Sequence, residues 1–265
     1  MLYLCLPSYN EAPTVGLLLW KIRKTFATFP REYQLLVGDD GSTDATTELL
    51  EPYAKVLPLT VVRHPERQGY ARCLEALLRL AVERTDRPRR DAAIMMSADF
   101  THDPAFLPEI VRRLESGADV VVGEGRIVGA TPPGYRITRW GARWLLRGLR
   151  VPGVSDVVSG LVGYRLIVLR NAFRSGPGPL LTAEGWAANA ELLARAARHA
   201  RRVETVPVLE RHDRRPRASR VRPWSLARDL WREGGRLHLR PESPWDPSRP
   251  AVSPTEENEQ EEAAR

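Results

Sequence analysis

Apolar residues fall into two rhythms that alternate through the first half of the chain. Short continuous runs, Leu2–Leu6, Tyr33–Gly38, Leu59–Arg63, Ala92–Met96 and Asp119–Gly123, read as strands. Between them lie stretches with helical spacing, Pro13–Phe26, Asp44–Tyr53, Gln68–Arg84 and Pro104–Glu115. A strand with one face in water alternates apolar and polar residues. These runs do not, so both of their faces should be covered. The repetition predicts an α/β fold, a mostly parallel sheet flanked by helices on both faces. In such sheets ligands sit beyond the carboxyl ends of the strands, where strand order switches.

Beyond roughly residue 125 the rhythm changes. A connection rich in Gly and Pro, Val128–Gly134, leads into a helical stretch, Tyr135–Leu149. There Trp140, Trp144, Leu145 and Leu149 are interleaved with Arg136, Arg139, Arg143, Arg147 and Arg150. An apolar body with a cationic fringe is the profile of a helix lying at a membrane surface. It is equally that of a helix packed on the domain with its arginines reaching into water. A further helix, Ala183–Ala200, and a strand, Val203–Leu209, precede a segment with ten arginines between residues 210 and 240. Ser-Pro steps and glutamates over residues 241–265 predict a disordered acidic tail. No internal repeat is visible. The organisation expected is a main domain over 1–222, made of halves 1–125 and 126–222, then a basic amphipathic helical extension over 223–240, then the tail.

A length of 265 residues suits one large domain with extensions. No apolar run approaches the ~18–20 residues of a spanning helix. The start lacks the basic, long apolar and small-residue segments of a signal peptide, so cytoplasmic residence is the expectation. Cys5, in a strand, and Cys73, in a helix, have no CxxC or His partner and read as buried thiols. The net charge of +7 divides unevenly, because seven acids against two arginines give residues 241–265 a charge of −5 and leave +12 on residues 1–240. Lys21, Lys24 and Lys55 are the only lysines. Such arginine excess fits a GC-rich coding bias, or attraction to phosphates and an anionic membrane surface. A nucleic-acid partner is not expected, since stacking aromatics are few in the basic segment and no helix-turn-helix or zinc spacing occurs.

Four polar punctuations interrupt the pattern. Asp39-Asp40-Gly41-Ser42-Thr43-Asp44 follows the second strand, with Ser42 or Asp44 placed to cap the next helix. Capping leaves the adjacent carboxylates of Asp39 and Asp40 to be explained, and these can accept hydrogen bonds from ribose hydroxyls or a base. Pro7-Ser8-Tyr9-Asn10-Glu11 ends the first strand and supplies an aromatic plane and a carboxylate able to bracket a base. Asp99 follows the fourth strand, with Thr101, His102 and Asp103 after it. One carboxylate with a hydroxyl neighbour suffices for a hard divalent cation that keeps waters and substrate phosphates as its other ligands. His102-Asp103-Pro104 reads as the turn and cap into the next helix. The last punctuation, Asp213-Arg214 with Ser219-Arg220, is basic.

The ordered set PSYNE, DDGSTD, SADFTHDP, Asp156–Arg165 (DVVSGLVGYR), Glu191 and DRRPRASR resembles family 2 glycosyltransferases of the GT-A fold. Within them it is most similar to the polyprenol (dolichyl) phosphate mannosyltransferase-like group, over roughly residues 1–222. The resemblance implies inverting transfer of a hexose from a nucleotide-diphosphate sugar, GDP-mannose or a UDP-hexose, to a polyprenyl-phosphate lipid. Mg²⁺ or Mn²⁺ would assist, with peripheral contact at the cytoplasmic membrane face. Residues 1–125 would be the donor half and 126–222 the acceptor half. On matching positions, Pro7, Tyr9 and Glu11 would line the base pocket, and Asp39 or Asp40, next to Gly38, would take base and ribose. Ser97 and Ala98 would lie against ribose and diphosphate. Asp99 would be the main metal ligand, with Thr101 near the second ligand position. Arg126, Arg214 and Arg220 would face the donor and its phosphates. A lipid phosphate is already anionic and needs little general-base help; for a hydroxyl acceptor the base would be Asp156 or Glu191.

Two positions depart from the family pattern. Ser97 stands where an Asp-X-Asp motif begins, and Pro216 where a mobile loop carries Gly. They leave a second reading, a nucleotide-sugar-binding subunit with weak catalysis.

Overall fold

In a computed structural model, residues 1–211 and 223–236 are described, apart from 130, 132, 147, 148, 150 and 177. The expected alternation is present: β1 (Leu2–Ser8), α1 (Ala12–Thr28), β2 (Tyr33–Asp40), α2 (Thr46–Ala54), β3 (Leu59–His64), α3 (Tyr70–Arg84), β4 (Ala92–Met96), α4 (Leu107–Glu115) and β5 (Val120–Val128). Then follow α5 (Tyr135–Leu145), β6 (Leu161–Arg165), α6 (Leu166–Arg174), α7 (Gly185–Ala197), β7 (Val203–Arg211) and α8 (Pro223–Arg236).

One seven-stranded sheet has the order β3-β2-β1-β4-β6-β5-β7. β1 pairs in parallel with β2 on one side and β4 on the other, so strand order switches at β1. β6 runs antiparallel between β4 and β5, and β7 pairs in parallel with β5. The sheet is therefore mostly parallel with one reversed strand that the apolar pattern did not predict. Val128, expected in a connection, closes β5 opposite Arg211 of β7. The helix expected to reach Leu149 ends at Leu145. The expected acidic tail lies outside the described residues.

Period-2 geometry explains why the strand runs are continuously apolar. Leu2, Leu4 and Leu6 enter the core layer formed with Leu18, Leu19 and Ile22 of α1, while Tyr3 and Cys5 enter the opposite layer with Leu74, Leu77 and Leu78 of α3. The same parity continues past the strand ends and decides where the acidic pairs point. In β2, Leu35 and Val37 face the α1 layer and Leu36 faces the α3 layer, so Asp39 and Asp40 leave the strand on opposite sides. β2 lies so close to α3 that a methyl at Gly38 would overlap the Cys73 Sγ. Glycine is thus required there by helix–sheet packing.

α8 packs on α5 and α7 through Leu226 and Leu230. Together α5 and α8 hold Ile137, Trp140, Trp144, Trp224 and Trp231 exposed, with Trp224 at 83% and Trp140 at 67% of full exposure. Arg228 and Arg232 are exposed on the same α8 helix. Among the described residues no helix is long and apolar enough to cross a membrane.

Candidate active site

At the switch in strand order, a cleft of about 210 Å³ opens between the carboxyl ends of β1, β2 and β4. It is lined by Pro7, Ser8, Tyr9 and Glu11 after β1, Asp40 of β2, and Ser97, Ala98 and Asp99 after β4. Arg67, Tyr70 and Cys73 complete the lining from the loop after β3 and the first turns of α3.

The loops carrying these residues are knitted to one another. Asn10 N–H donates to the Ser42 Oγ at 2.9 Å and Thr43 N–H donates to the Asn10 Oδ1 at 2.8 Å. Glu11 N–H donates to the Thr46 Oγ1 at 2.9 Å and Ala12 N–H to the Asp44 Oδ2 at 3.2 Å. Asp44 also accepts from Thr46 N–H at 3.0 Å, so of the two capping candidates Asp44 serves the starts of both α1 and α2. Asn10 and Phe100 hold left-handed backbone conformations, with φ of 52° and 61°. For a residue as bulky as Phe this is a strained state, and such strain concentrates at functional turns.

Each aspartate of the adjacent pair has a separate task. Asp39 is fully buried on the α2 side, where it accepts from Ser42 N–H at 3.0 Å and from the Thr47 hydroxyl. It does not line the cleft. Asp40 accepts from Gln68 and Gly69 N–H at 2.8 and 3.0 Å and lies 3.0 Å from the His64 Nδ1. It therefore shapes the loop after β3 while facing the cleft. That loop carries Arg67, whose guanidinium stands 4.3 Å from the centre of the Tyr9 ring. Arg67 and Tyr70 were missed from sequence, although they occupy the carboxyl end of β3 just as the recognised residues occupy the ends of β1, β2 and β4.

Both cysteines are buried. Burial, followed by the nearby Asp40 carboxylate, pushes the Cys73 thiol up to about 12, which keeps it protonated and unreactive near neutral pH. Burial raises the Tyr70 phenol as well, and its hydroxyl donates to Asn189 Oδ1 of α7 at 2.8 Å.

On the β4 side, Asp99 accepts from Thr101 N–H at 3.0 Å and from the Thr101 hydroxyl. Thr101 is buried and does not line the cleft. Among the described residues no group of three or more His, Cys, Asp or Glu side chains is placed to hold a metal ion. The Asp99 carboxylate, in a cleft also lined by Ser97, fits a hard cation whose remaining ligands are water and phosphate oxygens, and it does not fit a closed protein cage.

The remaining candidates are spread more widely. Arg126 is exposed on β5 opposite Leu209, outside the cleft lining. Asp156 accepts from Gly125 N–H at 3.2 Å and forms an ion pair with Arg139 at 2.5 Å. Glu191 is fully buried in α7, where it accepts from Thr182 and Ala183 N–H at 2.8 and 2.9 Å and pairs with Arg195. The carboxylate, expected as a candidate general base, anchors the loop before α7 and does not line the cleft. Arg214 and Arg220 lie outside the described residues. His102, expected as a turn residue, is buried and bridges to Glu210 of β7.

The family model for glycosyl transferase family 2 matches residues 3–175, a span that contains every strand-end turn lining this cleft. The chain belongs to glycosyl transferase family 2. It is 24% identical over 162 residues to a dolichol-phosphate mannosyltransferase of Pyrococcus furiosus, a stretch covering 60% of this chain and 44% of that protein. It is 27% identical over 174 residues to a dodecaprenyl-phosphate galacturonate synthase of Rhizobium johnstonii, covering 64% and 49%. The chain thus spans less than half the length of these two curated relatives. A solved complex of the Mycobacterium tuberculosis glucosyl-3-phosphoglycerate synthase with Mn²⁺, uridine-diphosphate-glucose and phosphoglyceric acid superposes with a TM-score of 0.57 at 21% identity. That superposition covers 92% of this chain and 81% of the other, and it shows a shared architecture, the GT-A fold.

Proposed function

We propose that this protein is an inverting, divalent-metal-dependent glycosyltransferase that moves a hexose from GDP-mannose or a UDP-hexose to a polyprenyl phosphate at the cytoplasmic membrane face. The observation that carries the reading is the cleft at the switch in strand order, with an aromatic plane, carboxylates and the Ser97–Asp99 turn converging on it. Tyr9 and Arg67 bracket the base, Glu11 and Asp40 take its polar edge and the ribose, and Ser97 and Ala98 border ribose and diphosphate.

Charge supports a cation. The lining contains three carboxylates, Glu11, Asp40 and Asp99, against one guanidinium, Arg67. A diphosphate entering that field is repelled unless positive charge accompanies it. Asp99 would hold a divalent ion, which when bound supplies charge to the departing diphosphate. Arg214 and Arg220 would grip the same phosphates.

The acceptor reading rests on the base candidates. The Glu191 carboxylate is committed to loop amides and Asp156 to Arg139 and Gly125. An acceptor that arrives already ionised, such as a lipid phosphate, needs neither of them, whereas a hydroxyl acceptor does. The exposed tryptophans and arginines of α5 and α8 supply an amphipathic surface for a lipid-borne acceptor. Incubation with Mn²⁺, labelled GDP-mannose or UDP-glucose, and undecaprenyl phosphate is expected to give a labelled lipid. Absence of both transfer and donor hydrolysis with every GDP- and UDP-sugar tested would overturn the reading. Ser97 favours a second reading, donor binding without turnover; binding that Ser97→Asp leaves unaccompanied by turnover would select it.

A further inference from the structure

One ionic cluster, centred on Arg139, lies outside the cleft lining. Arg139, on α5, is 8% exposed, and its guanidinium donates to Glu210 Oε1 at 2.9 Å and Asp156 Oδ2 at 2.5 Å. Its plane stands 5.2 Å from the Trp186 ring of α7. Burial opposes its charge, but Glu210 and Asp156 outweigh that effect and hold the guanidinium more firmly protonated than usual.

As a stabilising device the cluster is poor. Removing three ionised groups from water costs several kcal/mol per ion, on the order of what their mutual attraction returns. The Arg139 Nε and the Asp156 Oδ1 are buried and have no hydrogen-bond partner among the described residues. A cluster retained only for stability would be expected to satisfy such atoms.

Its connections run to the cleft. Glu210 Oε1 lies 3.8 Å from the His102 Nε2, and His102 and Glu210 form an isolated bridge between the turn after β4 and the end of β7. Gly160 lies beside both that histidine and the cleft-lining Ser97: a methyl added there would stand 3.3 Å from the His102 Cε1 and 3.1 Å from the Ser97 Oγ. One guanidinium therefore ties α5, the Asp156 loop and the end of β7 to the turn that carries Ser97 and Asp99. Lysine could neutralise the same charge, but its single nitrogen does not reproduce the two separate guanidinium nitrogens that meet Glu210 and Asp156 here.

We infer that Arg139 is a positioning residue: through Glu210 and His102 it fixes the Ser97–Asp99 turn in the arrangement needed for sugar transfer. The inference rests on the proposed transferase reading for its kinetic consequence, though its structural consequence can be measured without it.

Two variants test it. Arg139→Lys keeps a cation at the site. Arg139→Met combined with Asp156→Asn and Glu210→Gln removes every charge of the triad, which protects against a failure to fold caused by uncompensated carboxylates. With whichever of GDP-mannose or UDP-glucose the native protein turns over, both variants should lose at least about tenfold in kcat while donor Kd stays within about threefold. A kcat within threefold of the native value, or a loss confined to KM, would overturn the inference. Amide hydrogen exchange is read in parallel on both proteins. Residues 97–103 and 206–211 should exchange at least about tenfold faster in Arg139→Lys, with residues 64–69 unchanged. Equal exchange in all three segments overturns the positioning role. If the native protein turns over none of the GDP- and UDP-sugars tested, it is the transferase reading that fails, and the exchange pattern alone decides whether Arg139 positions the turn.

Discussion

The two flanks of the cleft are held by opposite chemistry. On the β2–β3 flank, Asn10, Asp39, Asp40, Ser42 and Asp44 form mostly hydrogen bonds to backbone amides and hydroxyls of neighbouring loops. On the β7 flank, Glu210 and His102 are buried and the Arg139 and Asp156 side chains largely so, and these charged or titratable groups form a chain from Asp156 through Arg139 and Glu210 to His102. Charge-to-amide hydrogen bonds are among the stronger local interactions, and each contributes to folding. Buried ion groups gain little over apolar replacements of similar volume. The first flank therefore reads as scaffold that also presents ligand-binding atoms, and the second as an arrangement kept for the geometry it imposes.

Asp99 stands where the flanks meet, and its removal gives the largest effect. Asp99→Ala should lower donor turnover by on the order of 100-fold or more, because the alanine can neither hold a cation nor fix the turn through Thr101. Thermal unfolding of the variant should stay near that of the native protein. A variant that turns over donor within tenfold of native would remove Asp99 from the chemistry. Next comes Asp40→Ala, which strands the Gln68 and Gly69 amides and should cost about 2–3 kcal/mol in urea unfolding. If instead donor affinity falls with no change in the urea midpoint, Asp40 is a ligand group alone and the scaffold reading of its flank fails.

Gly38→Ala sharpens the comparison at a slightly smaller scale. The new methyl meets the Cys73 Sγ and lies 3.3 Å from Leu77 Cδ1, an overpacking expected to cost about 1–3 kcal/mol. Cys73→Ala in the same chain should recover most of that loss, since it removes the atom in conflict. A double-mutant cycle with no coupling would show that the strain is borne by backbone displacement and not by the Cys73 contact.

How much of this was legible in the sequence follows from the range over which each feature is determined. The strand runs of β1 to β4 and the polar turns after them are local patterns, and Pro7, Tyr9, Glu11, Asp40 and Ser97–Asp99 meet at the cleft as their strand-end positions require. β6 leads directly into α6 with no polar turn between them to mark where the strand ends, and nothing local encodes its reversed direction. Arg139 was indistinguishable from the other arginines along α5 until β5, β7 and α7 enclosed it. His102 was correctly placed at a turn, yet its burial depends on β7 arriving beside β5, more than a hundred residues later in the chain. Glu191 could not be assigned because a helical carboxylate facing a loop and one facing a cleft have the same sequence signature.

Asp44 gives the smallest expected effect and the cleanest pH signature of the β2–β3 flank. Partial burial works against its charged form, but hydrogen bonds from Thr46 and Ala12 outweigh it and leave the folded pKa below the ordinary value of 3.8. A depressed folded pKa means that the stabilisation is fully present above the unfolded value and fades as pH falls through the folded one. Asp44→Ala should therefore cost about 1 kcal/mol at pH 7, the usual net contribution of a hydrogen bond, because it leaves the Ala12 and Thr46 amides without this acceptor. The difference between variant and native protein should narrow below about pH 4 and vanish once the native carboxyl is protonated. A penalty that persists undiminished into strong acid would mean that Asp44 acts through packing, and that the loops after β1 and β2 are not held together by its charge.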